Sequence, residues 1–150
     1  MSNPTGQVTN TSRYTVLFDP KELAAHNKSV SVTSLDWTTV LRVDFRWLRH
    51  ATVVAYNASG SGQVEVRIIG SLEDATTDVE TPTEPSYTSE AINDDAWIDD
   101  SGCIVATATT VEAASHSIPL LITGDYAWCL VQARKVTNNA TLSVWFRGKS

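Results

Sequence analysis

From Gln63 to Gly70 the chain alternates, with Val64, Val66 and Ile68 on one side and Glu65 and Arg67 on the other. A period of two over such a run predicts a strand with one buried face and one solvated face. The pattern returns near the end of the chain, where Leu142, Val144 and Phe146 alternate with Ser143, Trp145 and Arg147. Val30-Ser31-Val32-Thr33 is a shorter case, and Cys103–Val111 and Ser117–Thr123 add two β-favouring runs. Leu35 to His50 carries two periods at once. Leu41, Phe45 and Leu48 fall at helical spacing, while Val43, Phe45 and Trp47 fall at strand spacing. Thr38, Thr39 and Val40 are β-branched, lose rotamer freedom in a helix, and decide for a strand.

Turn chemistry divides these runs. Ala58-Ser59-Gly60-Ser61-Gly62 between Thr52–Tyr56 and Gln63–Ile69 predicts a β-hairpin, its glycines supplying positive φ. Thr137-Asn138-Asn139 between Tyr126–Val136 and Ala140–Arg147 predicts a second, because Asn tolerates the left-handed conformation. Asp19 as N-cap and Pro20 at the first helical position predict one helical turn over Lys21–His26, preceded by a β-favouring run at Tyr14–Phe18. Residues 1–13 are polar, contain Pro4 and Gly6, and show no periodicity, so they read as an arm. Glu73–Ser101 is a long acidic connection with Pro82 and Pro85, and connections of that length inside a domain are usually functional or partner-bound. The expected architecture is all-β: an antiparallel β-sandwich or jelly roll of about eight strands over residues 14–150, with an extended N-terminal arm over 1–13.

Charge and composition then limit the partners. The chain has 150 residues and a formal net charge of −6. An acidic surface repels phosphate, which disfavours nucleic acid. No apolar run approaches the roughly 20 residues a membrane-spanning helix needs. Met1–Gly6 lacks the basic and apolar leader of an exported chain, so synthesis in a cytoplasm is expected. Cys103 and Cys129 lie in apolar runs and read as buried, reduced thiols.

The motifs of catalysis are missing from the sequence, and the expectation is a protein without enzymatic activity, cofactor or metal. His26, His50 and His116 sit in separate segments with no paired spacing. Asp94-Asp95-Ala96-Trp97-Ile98-Asp99-Asp100 invites a calcium reading but lacks the EF-hand register, and reads as a solvated acidic loop. Gly60-Ser61-Gly62 is too short to cradle phosphate. What remains are candidate partner contacts. Trp97 is an indole in that acidic loop. Arg42, Arg46 and Arg49 form a basic cluster interleaved with Phe45 and Trp47, suited to nucleic acid or to the carboxylates of a neighbouring subunit, and the acidic whole favours the second. In Tyr126–Lys135, Ala127, Cys129, Val131 and Ala133 take one face while Trp128 and Leu130 take the other, so the strand is apolar on both. A sandwich strand needs one apolar face; the second meets either another part of the chain or another subunit. Trp145, on the outward side of the last strand, joins these contacts.

Gly70-Ser71-Leu72 at the end of one alternating strand, and Gly124-Asp125-Tyr126 leading into Val131–Arg134 and Ala140–Arg147, resemble steps found in small virion proteins of tailed phages. The resemblance spans about residues 51–72 and 124–148. It implies a capsid decoration or head-stabilising protein, oligomeric (a trimer among the options), seated on the major capsid protein or another virion subunit and made in the host cytoplasm. Related β-sandwich patterns occur in carbohydrate-binding modules, which implies the alternative of a glycan site at Trp97 with Asp94, Asp95 and Asp99.

Overall fold

Every alternating run becomes a strand. A computed structural model describes residues 21–72, 86–89, 98 and 100–150. Ten strands lie among them: β1 (Glu22–Val32), β2 (Thr38–Asp44), β3 (His50–Asn57), β4 (Val64–Ser71), β5 (Tyr87–Thr88), β6 (Cys103–Val111), β7 (Ser115–His116), β8 (Leu120–Thr123), β9 (Trp128–Lys135) and β10 (Ala140–Lys149). They form two antiparallel sheets. The first runs β1-β10-β3, with β7 and β8 both along the far side of β3; the second runs β5-β2-β9-β4-β6. The expected all-β sandwich is what the chain builds. The expected arm and the Tyr14–Phe18 run lie outside the described residues.

The core is what the period of two predicts. From the first sheet Leu142, Val144 and Phe146 of β10, Val53 and Ala55 of β3, and Ile122 of β8 point inward. From the second, Val64, Val66 and Ile68 of β4, Leu41 and Val43 of β2, and Cys129 and Val131 of β9 meet them.

The two expected hairpins are corrected. β3 and β4 lie in different sheets, as do β9 and β10. Each connection is an arch that carries the chain from one layer to the other. Both arches sit at the same end and bond each other: the Val136 amide donates to the Gln63 carbonyl at 2.8 Å, and the Ala58 amide to the Thr141 carbonyl at 2.8 Å. Glycine serves close approach here, since a Cβ on Gly62 would lie 2.5 Å from the Asn139 carbonyl oxygen. Among the described residues the only glycine with positive φ is Gly124, and neither Asn138 nor Asn139 is left-handed. Alternation alone does not separate the two outcomes, because a hairpin and an arch each join two strands with one apolar face.

Lys21–His26 is also corrected. It is extended, and all but Lys21 of it lies in β1, because Glu22–His26 pairs with Trp145–Lys149 of β10. The Lys21 and Ser150 backbones close that register, with the Ser150 amide donating to the Lys21 carbonyl at 2.9 Å. A full ladder outweighs the weak local preference for one helical turn. Within Leu35–His50, β2 covers Thr38–Asp44, Phe45–Arg49 then crosses between the sheets, and His50 opens β3.

The two steps that carry the phage resemblance meet in space. A Cβ on Gly70 would lie 2.8 Å from Tyr126 Cδ1, and one on Gly124 would lie 2.8 Å from Tyr126 Cε2, so both glycines make room for one ring. The Ala127 amide donates to the Ser71 carbonyl at 2.7 Å and locks the contact.

Candidate functional site

Pairing register arranges the outer face of the first sheet in rows. Residues directly opposite in an antiparallel ladder share a face. One row reads Glu22, Lys149, His50, Thr123; the next reads Ala24, Arg147, Thr52, Leu121; the third reads His26, Trp145, Val54. Tyr56 and His116 stand beyond, their rings 4.6 Å apart. Trp145 is 38% exposed at the middle of this face.

Two adjoining concavities of about 480 and 280 Å³ share His50 and Thr123 and form one groove at the end of the face. Glu22, Thr52, Leu121, Arg147 and Lys149 line the larger part. Arg49, Gly124 and Asp125 line the smaller. Arg147 Nη2 pairs with Glu22 Oε1 at 3.1 Å, and Arg49 pairs with Asp125. The groove therefore offers paired donors and acceptors, hydroxyl groups and one exposed aliphatic side chain.

The outer face of the second sheet is of a different kind. Trp128 is only 7% exposed, with the Arg42 guanidinium 4.0 Å and the Arg46 guanidinium 5.5 Å from its ring centre. Arg46 also makes two bonds to the buried carboxylate of Asp44, at 2.9 and 2.6 Å. Trp37 lies between the guanidinium groups of Arg67 and Arg134, at 4.2 and 4.5 Å. Arg134 pairs with Glu65 at 2.8 Å, and Arg67 donates to Gln132. Stacking of guanidinium on indole contributes roughly 0.5–2 kcal/mol each, more as water is excluded.

The expected basic cluster is thereby divided. Arg42 and Arg46 are engaged within their own sheet, and Arg49 stands at the groove of the other. The second apolar face of β9 is buried within the chain: Leu130 lies between Arg42 of β2 and Ile69 of β4. Of the six expected contact residues, Trp145 and Arg49 present exposed side chains at the groove face. Trp97 lies outside the described residues, as do Asp94, Asp95 and Asp99. Sequence reading passed over Glu22, Lys149, His50 and Thr123 as a set. The outward parity of Arg147 was visible; the partners brought beside it depend on register.

The cysteines separate as well. Cys129 is buried, and burial pushes its thiol well above the usual range. Cys103 is exposed, which corrects the expectation of two buried thiols. Its strand is an edge of the second sheet, so one flank of Cys103 has no neighbouring strand among the described residues. In the native protein, one thiol should react with a water-soluble maleimide within minutes, and two after denaturation. Mass spectrometry of the Cys103→Ser variant should then show no rapid labelling.

Among the described residues no group of His, Cys, Asp and Glu is placed to hold a metal ion, and no helix is long and apolar enough to cross a membrane.

No family model and no curated protein matches the sequence. Among solved structures the chain is similar to the SPBc2 prophage-derived protein YomS, at 11% identity and a TM-score of 0.41, over 87% of this chain and 95% of that one. It is also similar to the structure of infectious bursal disease virus, Gx strain, at 13% identity and a TM-score of 0.17, over 87% of this chain and 38% of that one. The first neighbour is thus a phage-encoded protein.

Proposed function

We propose that the chain is a structural protein of a phage particle, acting by docking to other particle subunits, with no reaction of its own. The observation that carries this reading is a pair of exposed aliphatic side chains on or beside the edge strands that close one side of the sandwich. β6 and β8 lie against each other there, one from each sheet. Ile104 on β6 is 57% exposed, and Ile118, just before β8, is 66% exposed. Single exposed apolar residues are ordinary, whereas exposed aliphatic residues carried by adjoining edge elements suit a contact surface. Elsewhere the arginines, carboxylates and indoles of the second sheet are bound to one another, which suits a rigid module.

The test is composition of the particle. Particles produced from the genome that encodes this chain should contain it at a fixed copy number by quantitative mass spectrometry; its absence from purified particles would refute the reading. A double variant, Ile104→Asp with Ile118→Asp, should keep the melting temperature and weaken affinity for the particle at least about tenfold, the effect of losing roughly 1.4 kcal/mol of contact. Affinity equal to that of the unaltered chain would move the docking surface elsewhere.

A further inference from the structure

We propose that the outer face of the first sheet binds an acidic glycan, one sugar ring stacking on Trp145 while the carboxylate or phosphate of a neighbouring unit sits in the groove against Lys149 and His50. The inference stands on this face alone and does not depend on what the β6–β8 side contacts.

An indole exposed on a sheet face presents a flat apolar surface with a polar edge, and the C–H face of a pyranose matches it. Trp145 has hydrogen-bonding neighbours on the same face: His26 in its own row, and Arg147 as the next outward residue of β10, about 7 Å away by strand geometry. One sugar unit covers that distance. Each ion pair of the groove, Arg147 with Glu22 and Arg49 with Asp125, sets a donor beside an acceptor, which is what two adjacent hydroxyls require. Thr52 and Thr123 add hydroxyls, and Leu121 supplies an apolar wall. A volume of about 480 Å³ lies within the range of small-ligand sites.

Charge selects the class of sugar. Four basic residues line the groove (Arg49, His50, Arg147, Lys149) against Glu22 and Asp125, on a chain whose net charge is −6. Both carboxylates are held by arginines, so Lys149 and His50 remain to meet one acid group. The centre of a protein–protein interface is depleted of charge, whereas this groove is lined by it.

The test uses the full chain with three probes: hexagalacturonate for a carboxylate, maltohexaose bearing a 6-phosphate for a phosphate, and cellohexaose as the neutral control. Titration is read by tryptophan fluorescence and calorimetry. At least one acidic probe should bind with a dissociation constant below about 1 mM, and cellohexaose at least about tenfold more weakly. Which acidic probe binds distinguishes the two sources of the acid. Trp145→Ala should weaken binding at least about tenfold, and Lys149→Met about threefold, with the folded state of both retained by circular dichroism. The proposal is overturned if neither acidic probe binds, if cellohexaose binds equally well, or if Trp145→Ala binds as the unaltered chain does. Loss of particle occupancy in Trp145→Ala, with no sugar response, would assign the face to a protein partner and overturn it too. Failure of the Ile104 and Ile118 variants to alter affinity for the particle bears only on docking.

Discussion

Phe45→Ala should lower the free energy of unfolding by about 3–5 kcal/mol, the usual cost of emptying a fully buried aromatic site. Phe45 is fully buried and follows β2, where the chain leaves the second sheet for the first. Its amide donates to the Ala127 carbonyl at 2.9 Å, and its carbonyl accepts from the Leu48 amide at 3.0 Å, so the backbone has little freedom to collapse into a void. The ring meets Tyr126 at 6.3 Å and Phe146 edge-on at 6.4 Å, one aromatic neighbour from the lead into β9 and one from β10. Deletion therefore opens a cavity between the two layers, and the loss exceeds the transfer term alone. Urea unfolding should show a lower midpoint with an unchanged slope, while Lys149→Met, at an exposed position of β10, should change the free energy of unfolding by less than about 0.5 kcal/mol. A loss below about 1 kcal/mol for Phe45→Ala would mean that the layers close over the gap.

Phe45 also marks where sequence reading ends. Its spacing from Val43 placed it correctly on the apolar face, and its burial follows from that. That the strand stops at Asp44 does not follow, because the stop is set by tertiary bonds to Ala127 and Ser86. The same division holds throughout. Strand identity and inward parity were readable for β4 and β10 because a half-buried strand writes a period of two into its side chains. Sheet membership was not, because an arch and a hairpin leave that period unchanged. β1 was read in part: Val30 and Val32 alternate, but Glu22–His26 has no pattern of its own and takes strand form from β10.

The groove shows this most directly. Arg147 and Trp145 were readable as outward residues. Glu22 and Lys149 are Cα partners only because β1 and β10 pair along their length, and His50 joins them only because β3 lies on the other side of β10. No local signal connects residues so far apart in the chain. The engagement of Arg42 and Arg46 within the chain was hidden for a related reason. Arg42 and Arg46, each two residues from Asp44, look available until register places Trp128 opposite Asp44 and brings its ring against both guanidinium groups.

Asn57→Ala should cost about 2–4 kcal/mol, well above the loss from a surface amide, because it strips partners from several buried groups at once. Asn57 ends β3 and is fully buried. Its Nδ2 donates to the Gly62 carbonyl at 2.7 Å and to the Val111 carbonyl at 3.1 Å, joining the first arch to β6. Its Oδ1 accepts from the Ser59 amide at 3.0 Å and from the Ser59 hydroxyl at 2.7 Å. All the hydrogen-bonding capacity of the amide is thus used, and it holds the arch in the bend that sends the chain into the second sheet. Alanine would leave two carbonyls without this donor at a site with no room for free solvent. Asn57→Asp should be worse than Asn57→Ala near neutral pH, since a carboxylate cannot donate to either carbonyl and would carry its charge into the core. The ranking, native above Ala above Asp in urea midpoint, separates a hydrogen-bonding role from simple packing, for which Asp, close in volume to Asn, would be the milder change.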